Sequence, residues 1–383
     1  MLSDSLPPFA LKRFLMGPEA RTAKHSLGSS YCEPLVVEEL LALDEEGAAT
    51  LQEAKLGYPG FRGSTPLREA VAGLYDGLAA DEINLYAGGD DSILAFATAC
   101  LKPGDHVIVQ VPTYQSLYSL PQAIGCRVDL LTAQEKDGWS LDLNALADLI
   151  APNTKAIMLN QPQNPTGALL PKADFAAIFE LAERHGTLVF VDEIYRRLER
   201  DPETTLPAAC ELSPLGVSLG AMSKIFGLPG LRLGWLATRN REVLDALAAL
   251  RDYHNSTVSA PSELLARIAI RHRAEIWSRH RQVIADNLAR LDDFMARRGN
   301  IMTWQRPPGG TIAFPCLAEG LSSARICAKL LSEHGILLPA SRYFDHGDRH
   351  VRVGYGTRDL ARALAALDDV LEEVVASAGA PAG

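Results

Sequence analysis

The stretch TLVFVDEIYRRLERDPETTLPAACELSPLGVSLGAMSKIFGLPGLRLGWLA, residues 187–237, decides the fold class. It contains three short runs rich in apolar residues: TLVFV, VSLGAM and RLGWLA. Towards the N-terminus the runs INLYA, HVIVQV, RVDLL and AIMLN extend the series back to about Asp81, with helical patterns between them. This alternation predicts an α/β fold, with a mostly parallel sheet covered by helices on both faces.

Towards the C-terminus the pattern changes after about Val243. Long amphipathic helical patterns are followed by short strand-like segments, including TIAFPCL and HVRVGY, and by a closing helix near Leu360 to Val375. This change predicts a smaller α+β domain beside the sheet. We therefore expect a large domain over residues 41–250, a small domain over residues 251–383, and an N-terminal segment, residues 1–40, that docks on the smaller domain.

The charge balance argues against nucleic-acid binding. The 383 residues include 37 Lys and Arg against 47 Asp and Glu, a net charge of −10, and no basic block interrupts the chain. The six cysteines form no C-x-x-C pair, which is typical of buried, reduced thiols in a cytoplasmic protein. We find no signal-peptide core and no apolar stretch of membrane-spanning length, so we expect a cytoplasmic location without membrane binding.

Polar residues follow five of the predicted strands, at the sheet edge where α/β proteins bind ligands. These groups are Gly88-Gly89-Asp90-Asp91, Pro112-Thr113-Tyr114, Asn164-Pro165-Thr166-Gly167, Asp192-Glu193-Ile194-Tyr195 and Ser223-Lys224. Taken singly, each has a simple structural explanation: a turn, a helix cap or an exposed lysine. Together, an acid, an amide, a phenol and an amine at separate strand ends indicate one shared crevice.

The sequence after Lys224 favours a reactive amine. The stretch GLPGLRLGW is apolar and rich in glycine, so it would desolvate the ammonium group and lower its pKa. A neutral lysine can then attack an aldehyde. Pyridoxal phosphate is the cofactor that needs this set, because it requires a lysine, an acid at its pyridine nitrogen, and donors for its phenolate and phosphate oxygens.

These motifs closely resemble those of the class I/II pyridoxal-phosphate aminotransferases of fold type I. The resemblance extends from about Tyr58 to the last helix, with the motifs in the order and spacing of the family. It rests on Tyr58, Tyr114, N-P-T-G at 164–167, D-E-I-Y at 192–195, S-K-I-F-G-L-P-G-L-R-L-G-W at 223–235 and V-R-V-G at 351–354.

The resemblance implies a role for each matching residue. Lys224 would bind the cofactor aldehyde, Asp192 the pyridine nitrogen, and Tyr195 the phenolate oxygen as a third catalytic residue. The wider set implied to bind the cofactor adds Gly88, Gly89, Asp90, Tyr114, Asn164, Ser223, Arg232 and, from a partner subunit of a homodimer, Tyr58. Arg352 would bind the substrate α-carboxylate with a planar fork of donors, and Asn164 and Gly28 would assist it.

Two positions depart from the family pattern. Gly89 and Ala221 stand where the family usually has hydroxyl residues that contact the phosphate. Phosphate binding would then depend on backbone N–H groups, Arg232 and Ser223. In addition, Asp90 and Asp91 would oppose an anion unless their side chains turn away.

Transamination between an L-amino acid and a 2-oxo acid is the reaction we expect. An alternative is a lyase or cyclase that acts on an arginine-derived amino acid, because the N-terminal segment LGSSYCEPLVVEELLALD resembles a subset of the fold that includes capreomycidine synthase. In either case His25, Ser29, Tyr31 and Asp90 are candidates for lining the side-chain pocket, and the acidic composition suits a cationic substrate.

Three other function classes have weaker support. A metal-dependent hydrolase could use His346, Asp348 and His350, but no H-E-x-x-H motif accompanies them, so we predict no metal centre. A nicotinamide dehydrogenase would need a G-x-G-x-x-G turn, which is missing. A non-catalytic regulator would not need the lysine, aspartate and arginine that this chain retains.

Overall fold

A computed structural model describes residues 6–379. A seven-stranded sheet forms its centre, in the order β2-β8-β7-β6-β5-β3-β4. The strand bounds along the chain are β1 His25–Ser26, β2 Ile83–Tyr86, β3 His106–Val111, β4 Arg127–Thr132, β5 Thr154–Asn160, β6 Leu188–Asp192, β7 Gly216–Ala221, β8 Gly234–Ala237, β9 Met302–Thr303, β10 Ile312–Ala313, β11 Cys316–Leu317, β12 Ile336–Leu337 and β13 Val353–Gly354.

All seven runs predicted as strands lie in this sheet, which confirms the fold class. Strands β3 to β7 pair in parallel, and β8 alone runs antiparallel to both of its neighbours, β2 and β7. Parallel pairing places the carboxyl ends of β5, β6 and β7 at one edge, so the polar residues that follow them meet there.

Side-chain alternation explains why helices cover both faces of the sheet. In β5, Ile157 and Leu159 pack on one face, whereas Ala156 and Met158 pack on the other, as the period of two in a strand requires. The α-helices are Ala10–Met16, Pro18–Arg21, Val37–Leu41, Gly47–Gln52, Thr65–Ala72, Gly89–Cys100, Ser116–Ile124, Leu143–Leu149, Lys172–His185, Ala209–Leu212, Arg241–Arg251, Ala260–Arg271, Arg273–Arg297, Ser323–His334 and Leu360–Gly379. Short 3₁₀ helices span Ala80–Glu82, Glu135–Asp137, Pro202–Thr204, Pro229–Leu231 and Ser341–Phe344.

Three two-stranded sheets lie beside the central one. β1 pairs in parallel with β12, whereas β10 pairs antiparallel with β13 and β9 with β11. The N-terminal segment therefore contacts the C-terminal part of the chain through β1, and the amide of Gly354 donates a hydrogen bond to the carbonyl of Leu27. The domain boundaries given above stay a prediction.

Two further expectations concern cysteines and membranes. All six cysteines carry free thiols, and five are buried, but Cys100 is partly exposed, so the expectation that every thiol is buried is wrong at that position. Its side chain lies near the end of the helix Gly89–Cys100, which leaves it less covered. Within residues 6–379, no helix combines the length and apolar character needed to cross a bilayer.

Candidate active site

A cavity at the carboxyl ends of the central strands collects most of the predicted site residues. The predicted residues that line it are Gly89, Asp90, Tyr114, Asn164, Asp192, Tyr195, Ser223, Lys224, Arg232 and Arg352. Most of them lie at or just after the carboxyl ends of central strands, whereas Arg352 directly precedes β13, so the central sheet and the C-terminal part both contribute to the cavity. The lining residues that were not predicted from the sequence include Ser30 and, from the N-terminal helix, Leu11, Lys12 and Leu15.

Lys224 lies at the centre of this cavity. Its Nζ donates a 2.7 Å hydrogen bond to the Ser30 hydroxyl and stands 5.7 Å from the centre of the Tyr195 ring. The pKa of Lys224 is lowered to about 8, mainly by burial and secondly by the neighbouring Arg352 cation. A substantial fraction of neutral amine is therefore present near pH 8.

Asp192 ends β6 and is buried. Its Oδ1 accepts a 3.1 Å hydrogen bond from the backbone N–H of Ile194, which keeps the carboxyl oriented. Burial raises the pKa of Asp192 to about 7, whereas the Ile194 hydrogen bond and the Lys224 charge oppose that rise. A buried carboxyl group of this kind favours a cationic ligand, because a positive charge beside it lowers its pKa again.

Aromatic and amide groups surround the amine and the acid. The Tyr195 hydroxyl donates to the carbonyl of Ser30 at 3.1 Å, and the Tyr114 hydroxyl donates to Asp90 Oδ1 at 3.0 Å. Burial raises the pKa of both phenols, so both hydroxyls stay protonated and act as donors. Asn164 follows β5 and accepts a hydrogen bond from Arg352 at 3.3 Å.

The other end of the cavity is suited to an anion. The helix Gly89–Cys100 begins there with free backbone N–H groups, and Arg232 lies against its first residues. Gly88 has φ of +102°, and an added Cβ would come within 2.5 Å of an Arg232 terminal nitrogen, so glycine is required at this position. Arg232 is held by hydrogen bonds to the carbonyls of Pro229 and Ala87 at 2.9 and 3.4 Å.

The two acidic residues in this helix have different surroundings. Asp91 accepts from the backbone N–H of Ala87 at 2.9 Å and pairs with His254 at 3.1 Å, so it is turned away from the cavity. Asp90 does face the cavity, where Lys12 Nζ lies 2.8 Å from its Oδ1. The lysine neutralises the charge that would otherwise oppose an anion at the helix start.

Arg352 is a buried cation, and no acidic side chain within residues 6–379 pairs with it. Only 1% of it is exposed, and it donates to the carbonyl of Gly28 at 2.7 Å and to Asn164 at 3.3 Å. Its Nε has no hydrogen-bond partner. Burial lowers the pKa of Arg352, and the nearby phenols of Tyr195 and Tyr114 oppose this effect. A buried guanidinium in this state is suited to a carboxylate ligand.

Several predicted residues lie outside the cavity. Tyr58 is 93% exposed and borders a separate surface groove with Leu56 and Pro261. His25, Ser29 and Tyr31, expected to line the substrate pocket, border a different surface pocket, so that expectation stays a prediction. Residues 28–31 lie in the loop after β1, where Ser30 contacts Lys224 while Ser29 and Tyr31 border the other pocket.

Ala221 and Asp348 also lie outside the lining of the catalytic cavity. Ala221 lines a different small cavity, with Tyr75 and Trp277. A hydroxyl group at this position would therefore face away from the catalytic cavity. Asp348 does not join His346 in a ligand set: its carboxylate accepts hydrogen bonds from Ser322, Ser323 and the backbone of Ala324, at the start of the helix Ser323–His334. A metal-dependent hydrolase that uses His346, Asp348 and His350 would therefore lack its carboxylate ligand.

Comparisons with known proteins point in one direction. The model of the family described as aminotransferase class I and II matches residues 27–367. Capreomycidine synthase from Streptomyces vinaceus is 29% identical over 356 residues, 91% of this chain and 90% of that protein. Arginine–pyruvate transaminase from Pseudomonas aeruginosa is 28% identical over 311 residues, 78% of this chain and 77% of that protein.

The solved structures include a similar molecule as well. A pyridoxal-phosphate-dependent aminotransferase from Streptococcus suis superimposes with a TM-score of 0.91 at 32% sequence identity. The superposition covers 96% of this chain and 98% of that one. The likeness therefore includes the N-terminal segment and the C-terminal part as well as the central sheet.

Proposed function

Because the chain belongs to the family of class I and II aminotransferases, we propose that it is a pyridoxal-phosphate-dependent aminotransferase that moves an amino group between an L-amino acid and a 2-oxo acid. One observation carries the proposal. The buried Arg352, with no acidic partner, shares a cavity with a lysine of lowered pKa and a buried aspartate. An α-amino acid supplies both the carboxylate for the arginine and the amino group for the chemistry.

The residues of the cavity fit pyridoxal phosphate. Lys224 offers the amine for its aldehyde, Asp192 a carboxyl for its ring nitrogen, and Tyr195 a phenol for its phenolate oxygen. The start of the helix Gly89–Cys100, together with Arg232, offers donors for its phosphate. Gly89 provides no hydroxyl, so backbone N–H groups and Ser223 remain as the other donors. When bound, the cofactor acts as an electron sink for negative charge at the substrate Cα.

The protein side chains then have separate tasks. Arg352 binds and orients the α-carboxylate through its fork of N–H groups, with Asn164 and the carbonyl of Gly28 holding the guanidinium in place. The amine of Lys224, neutral near pH 8, takes the proton from Cα and returns it in the later step. The Asp192 carboxylate would stabilise a protonated nitrogen in the cofactor ring. A protonated ring stabilises negative charge at the substrate Cα more strongly.

We also propose a homodimer that works in the cytoplasm. Tyr58, Leu56, Phe61 and Tyr253 are between 64% and 93% exposed, and large apolar side chains of this kind favour a protein interface. In the proposed dimer, Tyr58 would contact the phosphate end of the partner's cavity, as the family resemblance implies. The six free thiols are typical of a reducing compartment.

A lyase or cyclase acting on an arginine-derived amino acid is the second candidate. The Asp90 carboxylate faces the cavity and is suited to a cationic side chain. Capreomycidine synthase is similar along 91% of this chain, and the arginine–pyruvate transaminase shows that an arginine substrate also occurs among transaminases of this likeness. The machinery around Lys224 serves both reactions, so it does not separate them.

A half-reaction experiment separates the two. A transaminase given only an amino donor should convert its cofactor from the aldehyde to the amine form, and a 2-oxo acid should restore the starting spectrum. A cyclase needs no 2-oxo acid and releases a leaving group from the substrate side chain. If a broad panel of amino acids, including arginine and lysine, leaves the spectrum in the aldehyde form while a hydroxylated arginine is cyclised, the transaminase proposal is wrong.

A further inference from the structure

A second group of reactive side chains lies outside the catalytic cavity. Glu135, Cys316 and His350 each offer one ligand atom, and these three atoms lie within 4.8 Å of one another. The carboxylate of Glu135 is 3.0 Å from Nε2 of His350. Cys316 and His350 are buried, and Glu135 is partly exposed. The cluster has no role in the proposed reaction, and it does not depend on that proposal.

The fold brings these residues together from three separate segments. Cys316 begins β11 and forms an antiparallel bridge with His350. Residues directly opposite each other on antiparallel strands point to the same face, so the thiol and the imidazole are neighbours. Glu135 starts the 3₁₀ helix Glu135–Asp137, which follows the edge strand β4, and it approaches that face from the side of the large sheet.

Aromatic rings hold the imidazole in place. The His350 ring stacks on Phe314, with centroids 4.8 Å apart and planes 17° apart, and Trp139 meets it edge-on at 5.7 Å. This packing leaves Nε2 directed to Glu135. A metal ligand whose ring is fixed in this way loses little side-chain entropy when it binds an ion.

We propose that Glu135, Cys316 and His350 form a Zn²⁺ site. A thiolate, an imidazole nitrogen and a carboxylate oxygen are the ligand types that zinc takes, and three protein ligands leave a fourth position for water. Binding forms bonds from zinc to sulfur, nitrogen and oxygen, and the Cys316 thiol releases its proton to the buffer. No oxidant or reductant takes part.

The position of the site suggests what the ion does. His350 is two residues before Arg352, and Phe314, which stacks on His350, also packs against Phe344 at 5.6 Å. The Arg352 guanidinium in turn lies 5.3 Å from the Phe344 ring centre. A zinc ion would therefore link the segment that carries Arg352 to the loop after β4.

The sequence predicted no metal centre, because the neighbours of His350 along the chain, His346 and Asp348, form no recognisable metal-binding motif with it. The ligands proposed here come instead from positions distant in sequence, which only the bridge between Cys316 and His350 and the approach of Glu135 bring together.

Cobalt substitution tests the site in the cofactor-loaded enzyme. After chelator treatment and dialysis, Co²⁺ should bind at about one ion per chain and give visible d–d absorption at wavelengths beyond the cofactor bands, and Zn²⁺ should abolish this absorption. Cys316→Ala and Glu135→Gln should each lose the absorption. The second variant retains a side-chain oxygen that can accept a hydrogen bond from His350, so it should fold normally.

Cys327→Ala is the matched control, since Cys327 is also buried in the C-terminal part but lies outside the cluster. It should bind Co²⁺ as the wild type does. The proposal is overturned if the wild-type enzyme shows no d–d absorption at saturating Co²⁺, or if Glu135→Gln and the control bind the ion alike. Circular dichroism on every variant shows whether a loss of absorption reflects a loss of folding, and in that case Glu135→Gln decides.

Discussion

Replacement of Arg352 by alanine should weaken amino-acid binding far more than cofactor binding. The guanidinium has five N–H groups, and the structure uses one for the carbonyl of Gly28 and one for Asn164. Three N–H groups remain, including the unpartnered Nε, which is enough for a carboxylate held by two parallel hydrogen bonds. The perturbation therefore removes the whole carboxylate contact and one of the charges that lower the pKa of Lys224, while the side chains of Lys224 and Arg232 remain to hold the cofactor.

The magnitude follows from the burial of this contact. A charge-assisted hydrogen bond contributes roughly 1.5–3 kcal/mol, and loss of a buried, bidentate charge pair costs about 2–4 kcal/mol in binding. That range corresponds to an increase of about 30- to 900-fold in the dissociation constant of the amino acid. Salt should screen little of it, because Arg352 is only 1% exposed.

The assay is a titration of the cofactor-loaded variant with an amino acid, followed by the change in cofactor absorbance. Cofactor content, measured after release in alkali, should equal that of the wild type. Arg349→Ala is the matched control, because Arg349 lies three positions before Arg352 and donates to the carbonyl of Leu317, outside the cavity. If Arg352→Ala binds amino acids like the wild type, or loses the cofactor instead, the role assigned to Arg352 is wrong.

Three further predictions concern the amine, the N-terminal helix and the assembly. With the pKa of Lys224 lowered to about 8, the neutral fraction of its amine rises about tenfold from pH 7 to pH 9. The apoenzyme should therefore capture pyridoxal phosphate about tenfold faster at pH 9. A capture rate that does not change with pH would contradict this pKa. Lys12→Ala should favour cationic over neutral amino acids by up to about fivefold in kcat/KM, because the half-exposed pair with Asp90 contributes only about 0–1 kcal/mol. In an Asp90→Asn background, which lacks the carboxylate, Lys12→Ala should produce no such change. Light scattering should show a dimer, and a fully active monomer at assay concentration would remove the role proposed for Tyr58.

The sequence was sufficient for the sheet and for most of the cavity. The apolar runs are short and separated by helical patterns, and runs of this length and spacing favour buried strands over helices. The residues that follow them reach one edge because parallel strands share an end. The reversed direction of β8 did not follow, since an apolar run such as GWLA has the same pattern in either direction.

What the sequence missed depends on contacts between distant segments. Lys12 lies in a short helical pattern with nothing to mark it, and it reaches Asp90 only because the helix Ala10–Met16 docks beside the Tyr114 loop, where Gln115 Oε1 accepts from the backbone of Ala10 at 2.9 Å. Ser30 was missed while its neighbours were chosen, because the direction of each side chain in this loop depends on contacts to Lys224 and Tyr195. Periodicity carries no information of that kind.

The residues for the general chemistry could be predicted from the sequence, whereas the contacts that select the reaction depend on segments distant in sequence. Lys224 and Asp192 come from strand ends of the central sheet, and Arg352 comes from the segment just before β13. Any reaction that begins with negative charge at Cα can use these three residues. The side of the cavity that would meet the substrate side chain contains Asp90, and the N-terminal helix sets its charge through Lys12. The contacts that decide between transamination and side-chain elimination should therefore lie between that helix and Asp90, and substitutions there should change the substrate range while leaving cofactor capture by Lys224 intact.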